Sequence, residues 1–181
     1  MNLIVLGAYS QKESSLESKK AATISRQQKN ELKKAGKEAE RKRTEEMIMS
    51  RQFILEVNYR SNQYGNQKYN LSSSLNYFAV NLNKIVLQLE TNENQPYDWP
   101  FSNFPAYGNY SKYEIQKLVS KSGGYVLKFL ATGQIGTYYI TINVSANGKT
   151  DLRMQANDGV TLLLRGVLVP LNKSRIKPLF I

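Results

Sequence analysis

The chain has no cysteine and no histidine among its 181 residues. Without cysteine there is no disulfide framework, no thiolate metal site and no cysteine nucleophile. A lipid-modified cysteine after leader cleavage is excluded as well. Without histidine the commonest general base and the commonest transition-metal ligand are both missing. Ser–His–Asp and Cys–His catalysis are therefore impossible, and so are zinc sites built from these ligands. No apolar run approaches the ~18 residues that would span a bilayer as a helix. Carboxylate pairs, Ser–Lys dyads and oxygen-ligated calcium are the chemistries that remain.

What the chain does have is positive charge, a net +11. Residues 11–51 hold 12 basic and 7 acidic side chains, and residues 52–181 hold 13 and 7. The excess is thus spread over both parts. It can steer a protein toward nucleic acid, anionic lipid or acidic polysaccharide, although a soluble basic surface is the plainer explanation.

The first residues, MNLIVLGAYSQ, carry an apolar run at Leu3–Leu6, then the small-x-small triplet Ala8-Tyr9-Ser10, then a polar switch at Gln11. The pattern is that expected of the end of a secretory signal peptide; a stray apolar end of a cytoplasmic protein is the competing reading. The basic n-region and most of the apolar h-region are missing. The expectation is that the true start lies upstream, that residues 1–10 are cleaved, and that Gln11 begins the mature protein.

Residues 12–51 are rich in helix formers, with no proline and only Gly36. Glu31–Lys34, Lys34–Glu38, Glu38–Lys42 and Lys42–Glu46 sit three or four apart and support a solvated helix. Polar on all sides, such a helix has little to pack against and is expected to fray. Met47 and Ile48 are expected to dock on the domain C-terminal to it. Interspersed glutamates and missing aromatics argue against a basic nucleic-acid arm.

From Phe53 the period becomes two. Strands are expected at Phe53–Tyr59, Lys68–Leu71, Tyr77–Leu82, Ile85–Leu89, Lys112–Ser120, Tyr125–Ala131, Thr137–Ser145, Thr150–Gln155 and Val160–Val169. Asn147-Gly148 and Asn157-Asp158-Gly159 are hairpin signals. Pro170 closes the last strand, and a basic tail lies beyond it. Residues 91–111 hold three prolines and the only tryptophan, so a long aromatic loop is expected there. The expected architecture is mainly β: an antiparallel sandwich or barrel of about eight strands preceded by a charged N-terminal helix. The expected divisions are 1–10, 11–51, 52–171 and 172–181.

The strand Phe53–Tyr59, the segment LSSSLNYFAV (Leu71–Val80) and above all YYITINVSANGKTDLRMQANDGVTLLLRGVLVPL (Tyr138–Leu171) resemble the domain of unknown function 4251 family of Bacteroidota. Leu164-Arg165-Gly166 fits the end of the family's last strand. The resemblance covers about residues 40–171. It implies an exported protein with a charged helical lead and a β-rich domain, in the periplasm or secreted. It implies no activity and no catalytic residues. The usual Pro-Tyr-Phe-Gly-like segment has only loose counterparts here, Trp99-Pro100-Phe101 and Tyr107-Gly108.

Few constellations offer chemistry. Glu90, Glu93 and Asp98 lie beside Tyr97 and Trp99, the residue types that sugar hydrolysis uses, but solvated loop acids explain them better. Asn92-Glu93-Asn94 and Asn157-Asp158-Gly159 are too sparse for calcium. Ser72-Ser73-Ser74 has no lysine at the required spacing. Tyr97, Trp99, Phe101, Phe104 and Tyr107 are the candidate ligand-binding residues, stacking on a sugar or gripping an apolar group; ordinary core capping is the competing explanation. The expectation is an exported, non-enzymatic binding or structural module with no catalytic residue, no metal and no cofactor. Glycan, lipid or an envelope protein are the candidate partners. The alternatives are a carrier of a small amphiphile or glycan under the aromatic loop, and a nucleic-acid-binding module.

Overall fold

The computed structural model describes residues 4–61, 68–90, 106–119, 123–133, 136–157 and 159–180. It divides into two compact units, Met1–Ala39 and Glu40–Ile181. The first unit is helical throughout its described residues. Helix α1 runs unbroken over Ile4–Ser50, so its last turns belong to the second unit. Residues 25–40 of the helix are exposed on every side, as expected for a helix without an apolar stripe.

The second unit is a closed barrel. Strands β1 (Gln52–Ser61), β3 (Tyr77–Asn81), β4 (Lys84–Gln88), β5 (Ala106–Lys117), β6 (Gly124–Gly133), β7 (Gly136–Ser145), β8 (Lys149–Ala156) and β9 (Thr161–Pro170) follow one another as antiparallel neighbours. The last pairs with the first, from Phe53↔Pro170 to Ser61↔Leu163. The short β2 (Lys68–Asn70) pairs with the end of β1, on the edge that β3 uses nearer its start. A bulge at Asn58 separates the two pairings. Of the two architectures open to the sequence, sandwich or barrel, the barrel is the one adopted.

Alternation decides which residues fill it. Phe53, Leu55 and Val57 point inward, opposite Pro170, Leu168 and Gly166 of β9 respectively. Phe78, Leu87, Leu127, Phe129, Ile140, Ile142, Leu152 and Met154 complete a packed interior. Past the bulge the parity shifts, so Arg60 rather than Tyr59 faces inward, opposite Leu164. Its guanidinium is 6.0 Å from the Tyr69 ring.

One end of the barrel is closed by α1. Thr44, Met47 and Ile48 are buried at the i, i+3, i+4 spacing of one helix face. Thr44 Oγ1 donates to the Ala146 carbonyl at 3.2 Å, and Tyr113 Oη donates to the Ile48 carbonyl at 3.1 Å. The docking of Met47 and Ile48 is as the sequence predicts. Arg51 ends the helix in the left-handed region (φ 54°) and lays its guanidinium 4.9 Å from the Tyr113 ring.

Two segments differ from expectation. Residues 106–111 are strand, not loop: β5 begins at Ala106. Gly108 is required there because a Cβ would press on the Thr132 carbonyl across the β5–β6 pair. The C-terminal segment is also more than a basic tail. Leu171, Ile176 and Phe180 pack on an outer cluster of Ile54, Tyr77, Ala79 and Val86. Ser174 is buried there, and its Oγ donates to Glu56 Oε1 at 2.8 Å.

Candidate functional site

Strand β4 ends and β5 begins at the barrel end away from the docked turns of α1, and residues 91–105 between them lie outside the described residues. Tyr97, Trp99, Phe101 and Phe104 lie outside the described residues. Tyr107 is described and sits in β5, opposite Val86. It packs on the outer cluster of Ile54, Tyr77, Ala79 and Val86 rather than toward the barrel interior. The structure therefore places Tyr107 on the barrel wall.

The root of that segment is held by a residue that sequence reasoning passed over. Asn76 is fully buried and serves four bonds. Its Oδ1 accepts the Glu90 amide at 2.7 Å, and its Nδ2 donates to the Ser72 carbonyl at 2.9 Å. Its backbone amide donates to the same carbonyl at 3.1 Å, while its own carbonyl accepts the Val57 amide at 2.9 Å. The sequence signal was an asparagine two residues after the polar run Ser72–Ser74, where side-chain-to-backbone turns are favoured.

The described carboxylates do not converge. Glu56 faces Ser174, Asp151 faces Arg165, and Glu114 lies on β5 opposite Lys128. Among the described residues no group of three His, Cys, Asp or Glu is placed to hold a metal. Glu93, Asp98 and Asp158 lie outside the described residues.

Electrostatic perturbation is concentrated at the helix-capped end. Glu45 accepts from Lys117 Nζ at 3.1 Å. Its acidity is strengthened chiefly by that bond, and Lys117 is held protonated to higher pH by the same contact. Burial raises the tyrosines of this end, Tyr110, Tyr113 and Tyr125, above the ordinary phenol value. Tyr113 is raised most; neighbouring Tyr110 adds to the effect, and Arg51 opposes it. These shifts follow from packing an aromatic cluster, in which the Tyr110 and Phe129 rings lie 4.9 Å apart. They mark no cleft.

The outer wall carries a different kind of site. A groove of about 700 Å³ is lined by Tyr59, Ser61, Lys68, Asn143, Arg153, Leu163 and Arg165, among others. Cross-strand partners share a face, and the register sets them in two rows. One row runs Tyr59, Arg165, Asp151, Asn143 across β1, β9, β8 and β7. The other runs Lys68, Ser61, Leu163, Arg153 across β2, β1, β9 and β8. Asp151 Oδ1 receives Arg165 Nε at 2.5 Å, and Arg153 Nη2 reaches Gln155 Oε1 at 3.4 Å. Alternation along β8 and β9 was legible in the sequence. That β9 meets β1, placing Tyr59 beside Arg165, was not.

The family model described as Domain of unknown function (DUF4251) matches residues 35–168. The chain belongs to this family. The DUF4251 match begins inside α1 and ends in β9, so it takes in the docked helical turns, the barrel and every residue named in the groove. The segment that packs on the outer cluster, 171–180, lies beyond it. A crystal structure of a DUF4251 family protein from Bacteroides eggerthii DSM 20697 is similar, with a TM-score of 0.60 and 22% sequence identity over 75% of this chain and 91% of that one. At that identity the likeness is one of fold. No curated protein matches the chain.

Proposed function

We propose that this DUF4251 protein is an exported, non-catalytic module of the bacterial envelope that works by binding through the outside of its barrel. The observation that carries the reading is the filled interior. Phe53, Phe78, Leu127, Ile140, Leu152 and Met154 are fully or almost fully buried inside the closed sheet, where a carrier would keep its ligand. Recognition then falls to the outer wall and the loop end. The export part rests on the apolar run Leu3–Leu6 and the Ala8-Tyr9-Ser10 triplet before Gln11. Among the described residues no helix is long and apolar enough to cross a membrane.

The test is expression from the native locus, with its upstream sequence, then fractionation and N-terminal sequencing. The expected product starts at Gln11 and is found outside the cytoplasm. An unprocessed chain in the cytoplasm would overturn the export reading.

A carrier of a small amphiphile or glycan under the aromatic loop is the second reading. It rests on the sequence alone, on Tyr97, Trp99, Phe101 and Phe104 gathered between β4 and β5. Trp99 is the chain's only tryptophan and reports on it directly. Emission that is already blue and does not move with glycans or lipids would remove this reading.

A further inference from the structure

We propose that the groove on the outer face of β2, β1, β9 and β8 binds an anionic saccharide. The inference deepens the binding reading above and rests on it. Four basic residues, Arg60, Lys68, Arg153 and Arg165, line the groove against one acid, Asp151, and the last three of the four stand in its outward rows. Lys68 and Arg153 stand in one row about 14 Å apart, three strand spacings. That separation suits an extended ligand with repeated charge rather than a single small anion.

Asp151 holds the Nε of Arg165, which fixes the guanidinium in place and leaves its terminal nitrogens as donors. Arg153 sits diagonally across the same two strands. Two guanidinium groups so placed match carboxylate or sulfate oxygens through paired N–H donors. Tyr59 stands opposite Arg165 and exposes its ring at the groove wall, a surface on which the apolar face of a sugar can lie. Ser61 and Asn143 supply hydroxyl and amide groups for sugar hydroxyls. A nucleic-acid strand is a poorer fit. Such strands are held by successive aromatic platforms, and Tyr59 is the single aromatic lining this groove among the described residues.

The test is binding of the full chain to polygalacturonate, dextran sulfate, neutral dextran and a single-stranded DNA at several salt concentrations. The expected result is binding of one or both acidic polysaccharides and none of neutral dextran. The preference between the first two identifies carboxylate or sulfate as the recognised acid. Arg153→Ala combined with Lys68→Ala should weaken binding at least about tenfold. Lys84→Ala with Lys112→Ala removes the same charge from another face and should leave most of the affinity. Absence of binding, equal loss in the two double variants, or DNA bound as tightly as the polysaccharides would each overturn the proposal. None of these results bears on processing at Gln11, so the export reading stands or falls separately.

Discussion

The side-chain carbonyl of Asn76 accepts the backbone amide of Glu90 at 2.7 Å, and the carboxamide is wholly buried. The bond joins the turn after β2 to Glu90, two residues past the end of β4. Asn76→Ala leaves the Glu90 amide without its partner inside the protein, while the Ser72 carbonyl keeps the Leu75 and Asn76 amides. Such a loss costs about 1–3 kcal/mol. The variant should unfold at clearly lower urea, with an unchanged dependence on denaturant. Asn76→Asp keeps the acceptor but buries a carboxylate against the Ser72 carbonyl oxygen, so at neutral pH it should destabilise at least as much as Asn76→Ala.

Gly166 lies opposite Val57 where the last strand meets the first. A Cβ there would collide with the Glu56 carbonyl, which is backbone and cannot step aside. Gly166→Ala should therefore destabilise by more than the ~1–3 kcal/mol of ordinary overpacking, because the seam itself must open. Thermal melting checks this, with Gly159→Ala as a contrast in which a Cβ meets open space and only backbone strain is added.

Ser174 donates to Glu56 at 2.8 Å and holds the C-terminal segment on the outer cluster. Ser174→Ala should cost about 1–2 kcal/mol. Ending the chain at Asn172 should cost more and uncover Ile54, Tyr77, Ala79 and Val86. Binding of a hydrophobic dye to the shortened protein, absent from the full chain, is the expected readout.

Burial raises the ionisation of Tyr77, Tyr110, Tyr113 and Tyr125 above their unfolded value of 10.0. Above that pH the unfolded chain loses these protons before the folded one does. The stability they contribute is full below about pH 10 and drains away as the pH rises toward the folded values. Ultraviolet titration should show a group of tyrosines that ionise only together with unfolding. Tyr113→Phe should move that transition to higher pH, while giving up the bond to the Ile48 carbonyl.

Much of the barrel was legible because its strands alternate strictly. Tyr138, Ile140, Ile142 and Val144 could only face a core together, and the register confirms it. Closure was not legible, since pairing Phe53 with Pro170 joins the two ends of the domain and leaves no local trace. The start of β5 was hidden for another reason. Tyr107-Gly108-Asn109 has turn composition, but its glycine answers a close backbone approach rather than a bend. The outer cluster was missed because Leu171, Ile176 and Phe180 are widely spaced among basic residues, and such a stretch resembles a solvated tail. In the candidate site, the residue types of the groove were visible, yet their juxtaposition depends on the closure that periodicity does not encode.

The pairing of β1 with β9 also sets an order of events. During synthesis β1 emerges early, but its partner edge stays empty until Pro170 has been made. Every hairpin between them can form from neighbours in the chain, whereas the seam must wait. The barrel can therefore close only once β9 has been made, and its slowest step should be that long-range closure. A ribosome stalled before Thr161 would hold an open sheet with two raw edges, along Phe53–Ser61 and along Lys149–Gln155.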